Sequence, residues 1–90
     1  MKDLKGQITL ITGGGSGIGK LMAKEFAKEG SKVVIWDIQK ELMEKTAAEI
    51  REDGGMVWTY ICDVSDKDFI YEVANRVKKE VGKVDILINN

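Results

Sequence analysis

The sequence predicts an α/β domain built on a doubly wound parallel sheet. Short apolar, β-branched runs alternate with stretches of helical periodicity, in the order β-α-β-α-β-α-β along the 90 residues. The connections are short, and no proline or low-complexity segment marks a linker. Because parallel strands are joined by right-handed crossovers, we expect helices on both faces of one sheet, with strand order 3-2-1-4. Residues 1–90 are therefore assigned to a single domain.

The first two strands and the helix between them are the clearest elements. The first strand is predicted over residues 7–12, "QITLIT", and the helix over residues 17–30, with Gly30 at its end. One face of this helix is expected to carry four apolar side chains, those of Ile18, Leu21, Met22 and Phe26. The second strand is predicted over residues 32–37, "KVVIWD", which is apolar enough to be covered on both faces.

The second helix and the third strand follow the same alternation. Helical spacing predicts a helix from Gln39 to Asp53 that ends at two glycines, and "MVWTYIC" predicts a strand over residues 56–62. The helix residues expected to be buried are Leu42, Met43, Thr46, Ala47 and Ile50.

The third helix is predicted to begin near Asp66 and to end at Gly82. Ser65 is the expected N-cap residue, and Asp68 the expected partner in a capping box. The apolar face of this helix is expected to contain Phe69, Ile70, Val73, Val77 and Val81. The fourth strand is predicted over residues 84–90, "VDILINN".

The segment between the first strand and the first helix is typical of a phosphate-binding turn, with five glycines between residues 13 and 19. One ligand to consider is a nucleoside triphosphate held by a P-loop, G-x-x-x-x-G-K-[ST]. Gly14, Gly19 and Lys20 match that pattern, but Leu21 stands where a hydroxyl must hold Mg²⁺. The P-loop is therefore the weaker interpretation.

The pyrophosphate of a dinucleotide is the stronger interpretation. The strict pattern G-x-G-x-x-G fails at Ile18, and the segment instead reads T-G-x-x-x-G-x-G. In that pattern Gly13 permits a tight exit from the strand, Gly17 permits close approach of a pyrophosphate, and Gly19 lets the helix pack closely on the sheet. The helix N-terminus then offers free N–H groups to an anion. A tight turn without a ligand would need fewer glycines.

Asp37, at the end of the second strand, is the expected ribose ligand. A dinucleotide site has an acidic residue about 20 residues past the glycines, where it accepts hydrogen bonds from ribose hydroxyls. A carboxylate there repels a 2′-phosphate, so it predicts NAD(H) rather than NADP(H). The alternative is that Asp37 caps a helix over residues 38–53, and the two oxygens of a carboxylate make both roles compatible.

Four motifs in order resemble those of the short-chain dehydrogenases/reductases. They are "TGGGSGIG" at the turn, "WD" closing the second strand, "CDVSD" after the third strand, and "VDILINN" in the fourth strand. The resemblance covers all 90 residues and implies a Rossmann-type fold. The sequence around Asp37 is most similar to members that act on steroids and retinoids.

The resemblance also implies further contacts with the cofactor. The Asp63 side chain and the Val64 backbone are expected to contact the adenine, and Asn90 is expected beside the cofactor ribose. From its place in the glycine turn, Ser16 is expected to form a hydrogen bond with a phosphate, and the alternative is that it is only part of the turn. The complete predicted cofactor site consists of Gly13, Gly15, Ser16, Gly17, Ile18, Gly19, Asp37, Asp63, Val64 and Asn90.

The catalytic residues of the family have no counterpart in this chain. The family uses a serine and a Tyr-x-x-x-Lys pair, whereas Val64 stands four residues after Tyr60 and Asn75 four residues after Tyr71. The chain is therefore expected to supply the NAD-binding part of an oxidoreductase and to be inactive alone. That oxidoreductase would move a hydride between NAD(H) and a secondary alcohol or carbonyl, such as a steroid, retinoid or other lipid alcohol. The alternative is a non-enzymatic nucleotide-binding module.

Composition excludes several other classes. The net charge is −1 without a basic stripe, so nucleic acid is not an expected partner. The absence of histidine excludes imidazole zinc sites, and no metal is expected. No apolar run approaches the roughly 18 residues of a membrane span. The single cysteine, Cys62, predicts a reducing, cytoplasmic location, with membrane or lipid-droplet association of a longer protein left open.

The fourth strand is expected to be an apolar sheet edge. Asp85 is its only charged residue, and such an edge invites pairing with another chain. The chain alone is therefore expected to aggregate, to dimerise through this strand as a homo-oligomer, or to require further protein.

Overall fold

The structure is a computed structural model that describes residues 3–90. Four strands and three helices alternate along it: β1 (Ile8–Thr12), α1 (Gly17–Lys28), β2 (Lys32–Asp37), α2 (Lys40–Glu52), β3 (Met56–Ile61), α3 (Lys67–Glu80) and β4 (Ile86–Asn89). The strands form one parallel sheet in the order β3-β2-β1-β4. The predicted fold class and strand order are confirmed.

The sheet separates two apolar clusters, because successive side chains of a strand point to opposite faces. On one face, α1 and α2 cover the strands, and the buried residues are Ile11, Ala23, Ala27, Val33, Ile35, Met43, Ala47, Ile50 and Val57. On the other face, α3 covers Ile8, Leu10, Val34, Trp36, Tyr60 and Cys62 with its own Val73 and Val77. The two covered faces explain why β1 and β2 are apolar at nearly every position.

The predicted apolar face of α1 packs against the core at only two of its four positions. Ile18 and Leu21 are 68% and 65% exposed, whereas Met22 and Phe26 pack against the core. The face that meets the sheet instead carries Ala23 and Ala27, which are small and let the helix axis come close. In α2 only Leu42 departs from the prediction, at 43% exposed.

The start of α3 also differs from the prediction. Asp66, and not Ser65, is the N-cap residue, and its carboxylate accepts from the Phe69 N–H at 3.2 Å. Ser65 is unavailable because both its N–H and its hydroxyl donate to the Asp63 carboxylate. Asp68 consequently lies one position too early for a capping box.

The outer edge of β4 is the apolar edge of the sheet. Leu87 is 63% exposed there. The one charge expected on this edge, Asp85, turns towards β1, and its carboxylate accepts from the Ile8 N–H at 2.9 Å. No helix within residues 3–90 combines the length and the apolar character needed to cross a bilayer.

Candidate cofactor site

The expected site lies where the carboxyl ends of the parallel strands meet. The glycine turn leaves β1 there, Asp37 ends β2, and Asn90 follows β4. The Asn90 N–H donates to the Thr12 hydroxyl at 3.1 Å, and its Nδ2 donates to the Gly13 carbonyl at 3.3 Å. The structure therefore brings Asn90 onto the glycine turn from the opposite end of the chain.

The glycine turn has a buried side and an exposed side. Gly14, Gly15 and Gly19 are buried, whereas Ser16, Gly17 and Ile18 are exposed. A Cβ on any of the buried glycines would overlap neighbouring atoms: 2.7 Å from Ile35 Cγ2 at Gly14, 2.7 Å from Asp37 Oδ2 at Gly15, and onto the Gly13 carbonyl oxygen at Gly19. Gly17 has a φ of 58°, and a Cβ there would meet nothing within 4 Å. Within the turn, the open space that a ligand could enter therefore lies on the side of Ser16, Gly17 and Ile18.

Side chains from two other elements hold the Gly15 backbone. The Gly15 N–H donates to Asp37 Oδ2 at 3.0 Å. The Thr46 hydroxyl, in α2, donates to the Gly15 carbonyl at 3.1 Å. The sequence predicted Thr46 as a buried residue but not its contact with the turn. A hydroxyl among apolar residues on a buried helix face was the only signal for that contact, since such a group needs an acceptor.

The Asp37 carboxylate is anchored and still has acceptor capacity. Oδ1 accepts from the Gln39 N–H at 3.0 Å, and Oδ2 accepts from Gly15. Gln39 is the N-cap residue of α2 and has no side-chain cap, so the alternative of Asp37 as the helix cap is wrong in that form. Each carboxylate oxygen can accept a second hydrogen bond. The partly exposed carboxylate can therefore bind hydroxyl donors without losing its anchors.

The start of α1 offers donors to an anion. The N–H groups of residues 16–19 donate to no acceptor within residues 3–90. They carry the partial positive charge of a helix N-terminus, which attracts phosphate. Lys20 is directed elsewhere, because its Nζ lies 3.0 Å from Glu49 Oε2 in α2. A P-loop needs its lysine over the phosphates, so this geometry disfavours that alternative.

Asp63 is exposed beyond the end of β3, and one of its oxygens is fixed. Oδ1 accepts from the Ser65 hydroxyl at 2.6 Å and from the Ser65 N–H at 2.9 Å. These hydrogen bonds lower the pKa of the Asp63 carboxyl, so it is an anion at neutral pH. Oδ2 accepts no hydrogen bond within residues 3–90 and is available to a donor. Val64, next to it, exposes half of its side chain.

The thiol of Cys62 is not exposed at the candidate cofactor site. It is buried in the apolar cluster that α3 covers. Burial raises the pKa of its thiol, and the charges of Asp63 and Asp66 raise it further. A thiol held in its neutral form is a poor nucleophile.

Comparison with protein families and curated sequences assigns the chain a clear set of relatives. The family model of the short chain dehydrogenases matches residues 7–90. Epidermal retinol dehydrogenase 2 from Homo sapiens is 54% identical over 90 residues, which are 99% of this chain and 29% of that protein. Estradiol 17-beta-dehydrogenase 11 from Macaca fascicularis is 51% identical over 89 residues, or 99% of this chain and 30% of that protein. The chain thus spans less than a third of the length of these relatives.

Solved structures with the same fold include proteins bound to either nicotinamide dinucleotide. The citronellol catabolism dehydrogenase of Pseudomonas aeruginosa has a TM-score of 0.94 and 38% identity, covering 100% of this chain and 38% of its own. An NAD⁺-bound xylitol dehydrogenase has a TM-score of 0.91 and 34% identity, covering 96% and 33%. A metagenomic short-chain oxidoreductase in complex with NADP has a TM-score of 0.90 and 31% identity, covering 96% and 39%.

Proposed function

The chain belongs to the short chain dehydrogenase family, and from that membership we propose that it binds NAD(H) for hydride transfer to or from a secondary alcohol or carbonyl. The nicotinamide supplies or accepts the hydride when the cofactor is bound. Two curated relatives that are 54% and 51% identical are named as a retinol dehydrogenase and an estradiol dehydrogenase. We therefore propose a lipid alcohol, of the steroid or retinoid type, as the substrate.

The observation that carries the choice of NAD(H) is the anchored Asp37 carboxylate. Its contacts with Gly15 and Gln39 hold it at the carboxyl end of β2, and its spare lone pairs suit the two hydroxyls of a ribose. A 2′-phosphate in the same position would bring like charges together, which favours NAD(H) over NADP(H).

The other predicted site residues have complementary roles in this proposal. The free N–H groups of residues 16–19 would hold the diphosphate. The free oxygen of Asp63 would accept from the adenine amino group, with the Val64 backbone beside the ring. Asn90, bonded to the Gly13 carbonyl, would lie beside the ribose that carries the nicotinamide.

The chain supplies binding and not proton transfer. Neither Tyr60 nor Tyr71 has a lysine four residues later, so the acid–base group of the family is absent from these 90 residues. We propose that the chain alone is inactive and that catalysis takes place in a longer oxidoreductase. The same observation favours the second candidate, a nucleotide-binding module without catalysis. An assay of alcohol-dependent NAD⁺ reduction by the longest protein that the gene encodes separates the two.

The cellular setting and the assembly are parts of the same proposal. The single, buried cysteine supports a reducing, cytoplasmic location. The exposed apolar edge of β4 supports a homodimer through that strand. In a longer chain the same edge would pair with a following strand.

The cofactor proposal is tested with Asp37→Ala and Asp37→Asn. We expect the wild-type chain to bind NADH at least about tenfold more tightly than NADPH, since a charge-assisted hydrogen bond contributes 1.5–3 kcal/mol. Asp37→Ala should weaken NADH binding about tenfold and reduce the preference for NADH. Asp37→Asn keeps an acceptor for Gly15 but removes the charge, so it should mainly relax the exclusion of NADPH. Calorimetric titration with both nucleotides measures these effects.

The matched control is Asp53→Asn, which removes the same charge from an exposed position at the end of α2. It should leave both affinities unchanged. An unaltered preference in the two Asp37 variants would show that this carboxylate is not the ribose ligand.

A further inference from the structure

Thr46 is a buried polar residue whose hydroxyl is directed at the glycine turn. It lies on α2 among Met43, Ala47 and Ile50, is 0% exposed, and donates its hydroxyl proton to the Gly15 carbonyl at 3.1 Å. Packing alone would accept an apolar residue of the same volume at this position, such as valine. The hydroxyl therefore has a role that the apolar core does not require.

The contact sets the orientation of one peptide group. In a planar trans peptide, the C=O of one residue and the N–H of the next point in opposite directions. Thr46 holds the Gly15 C=O on the buried side of the turn, so the Ser16 N–H points to the exposed side. Ser16 is itself exposed, and its N–H has no acceptor within residues 3–90.

The Gly15–Ser16 peptide needs such a restraint because glycine permits many backbone conformations. Asp37 already fixes the preceding peptide through the Gly15 N–H, but that bond leaves the following peptide free to turn. Without the Thr46 hydroxyl, the Gly15 carbonyl would be buried without a donor, at a cost of about 1–3 kcal/mol. Rotation of the peptide towards water would relieve that cost and would turn the Ser16 N–H inwards.

We propose that Thr46 is a positioning residue for the diphosphate of the dinucleotide. Its hydroxyl holds the Gly15–Ser16 peptide with the Ser16 N–H outwards, in line with the free N–H groups of residues 17–19. The inference rests on the proposed function, because it takes a dinucleotide as the ligand. It adds a residue of α2 that lies behind the turn and does not touch the ligand.

The test compares Thr46→Val with Thr46→Ser by NMR titration. Valine fills the same volume without a donor, and serine retains the hydroxyl. Two ligands are used: ADP-ribose, which contains the diphosphate, and adenosine, which lacks it. We expect Thr46→Val to raise the Kd of ADP-ribose about tenfold and to leave that of adenosine unchanged, while Thr46→Ser stays within about twofold of wild type for both ligands.

Each outcome decides the matter. Equal loss for both ligands indicates a purely structural role and overturns the inference, as does an unchanged Kd for ADP-ribose in Thr46→Val. If the wild-type chain does not bind ADP-ribose, whether or not it binds adenosine, both the proposed function and the inference fail. If wild type binds ADP-ribose and only the Thr46 prediction fails, the proposed function stands.

A measurement on the wild-type chain covers the case in which Thr46→Val does not fold. In the free chain the Gly15 amide, bonded to Asp37, should exchange with solvent more slowly than the Ser16 amide. ADP-ribose should slow exchange at Ser16 and shift its amide resonance. A Ser16 amide that is protected in the free chain and insensitive to ADP-ribose would overturn the inference.

Discussion

The buried and exposed sides of the glycine turn contain the same residue type for different reasons. On the buried side, at Gly14, Gly15 and Gly19, a Cβ would overlap β2, the start of α2 or the turn itself. On the exposed side, a Cβ at Gly17 would meet nothing, but the backbone has a φ of 58°, which side chains disfavour. The buried glycines let the turn pack against neighbouring elements, and the exposed glycine shapes the surface where the proposed cofactor would bind.

The difference shows that a glycine motif combines two requirements that mutations can separate. A substitution on the buried side should damage both folding and binding, because the protein's own atoms occupy the space. A substitution on the exposed side should damage binding more than folding, because only a ligand needs that space. Three substitutions test this distinction, in decreasing order of expected effect.

Gly15→Ala should have the largest effect. Its Cβ would lie 2.7 Å from Asp37 Oδ2 and 2.9 Å from the Met43 backbone nitrogen, and helix backbone does not yield easily. Overpacking of this kind costs about 1–3 kcal/mol. We expect the free energy of unfolding, measured in urea, to fall by that amount. Binding of NADH, measured by calorimetry, should be lost. A variant with wild-type stability would contradict the assignment of Gly15 to the packed side.

Gly17→Ala should reduce NADH binding more than it reduces stability. The positive φ costs about 1–2 kcal/mol of stability, and the added methyl group occupies the space in front of the helix N-terminus. We expect a modest fall in the urea midpoint and a loss of NADH affinity of at least about tenfold in calorimetry.

Gly54→Ala is the matched control for Gly17→Ala. Gly54 also has a positive φ, 86°, and open space at its Cβ, but it lies just after α2 at the other end of the sheet. It should lose similar stability and bind NADH as wild type does. Equal binding by the two variants would remove the distinction between the sides of the turn.

Acid should have the smallest effect, and it acts on the partly exposed ion pairs between α1 and α2. Hydrogen bonds from Lys20 and then Lys24 lower the pKa of Glu49 from its ordinary value of 4.5. The pairs therefore contribute their full stability above pH 4.5, and the contribution is lost as the pH falls through the lower pKa of the folded state. This contribution to stability is small because the ion pairs are partly exposed to solvent.

Thermal unfolding of wild type and Glu49→Gln checks the acid effect. The difference in Tm between them should shrink as the pH is lowered from about 6 to about 3, because protonation then abolishes the pair in wild type as well. A constant difference across that range would mean that the ion pairs do not link the helices. Binding of NADH at pH 7 should be the same in both proteins.

Local pattern was enough to predict the order of elements and the residues that gather at the carboxyl ends of the strands. Helical and strand periodicities identified all seven elements, and the alternation of strands with crossover helices predicted the sheet order. Because parallel strands bring their carboxyl ends together, the motif positions around Gly13, Asp37 and Asn90 could be assigned to one site before any contact was known.

The tertiary structure decided what depends on distance between elements. The sequence predicted Ile18 and Leu21 on the apolar face of α1, but the sheet packs against Ala23 and Ala27, since periodicity does not determine how closely a helix approaches. It predicted Ser65 as a cap, but Asp63 engages both donors of that residue. It left Thr46 in the core, while the hydroxyl bonds a carbonyl 31 residues away.

Periodicity and motif spacing are properties of the chain itself, so the sequence by itself determined the fold class and the strand order. It also predicted at which end of the sheet a ligand would bind. Which glycines are packed, which amide groups stay free and which oxygens of Asp37 and Asp63 are already bonded became known only from the tertiary structure. The reason is physical: hydrogen bonds and overlaps act over a few ångströms, between residues that folding alone brings together.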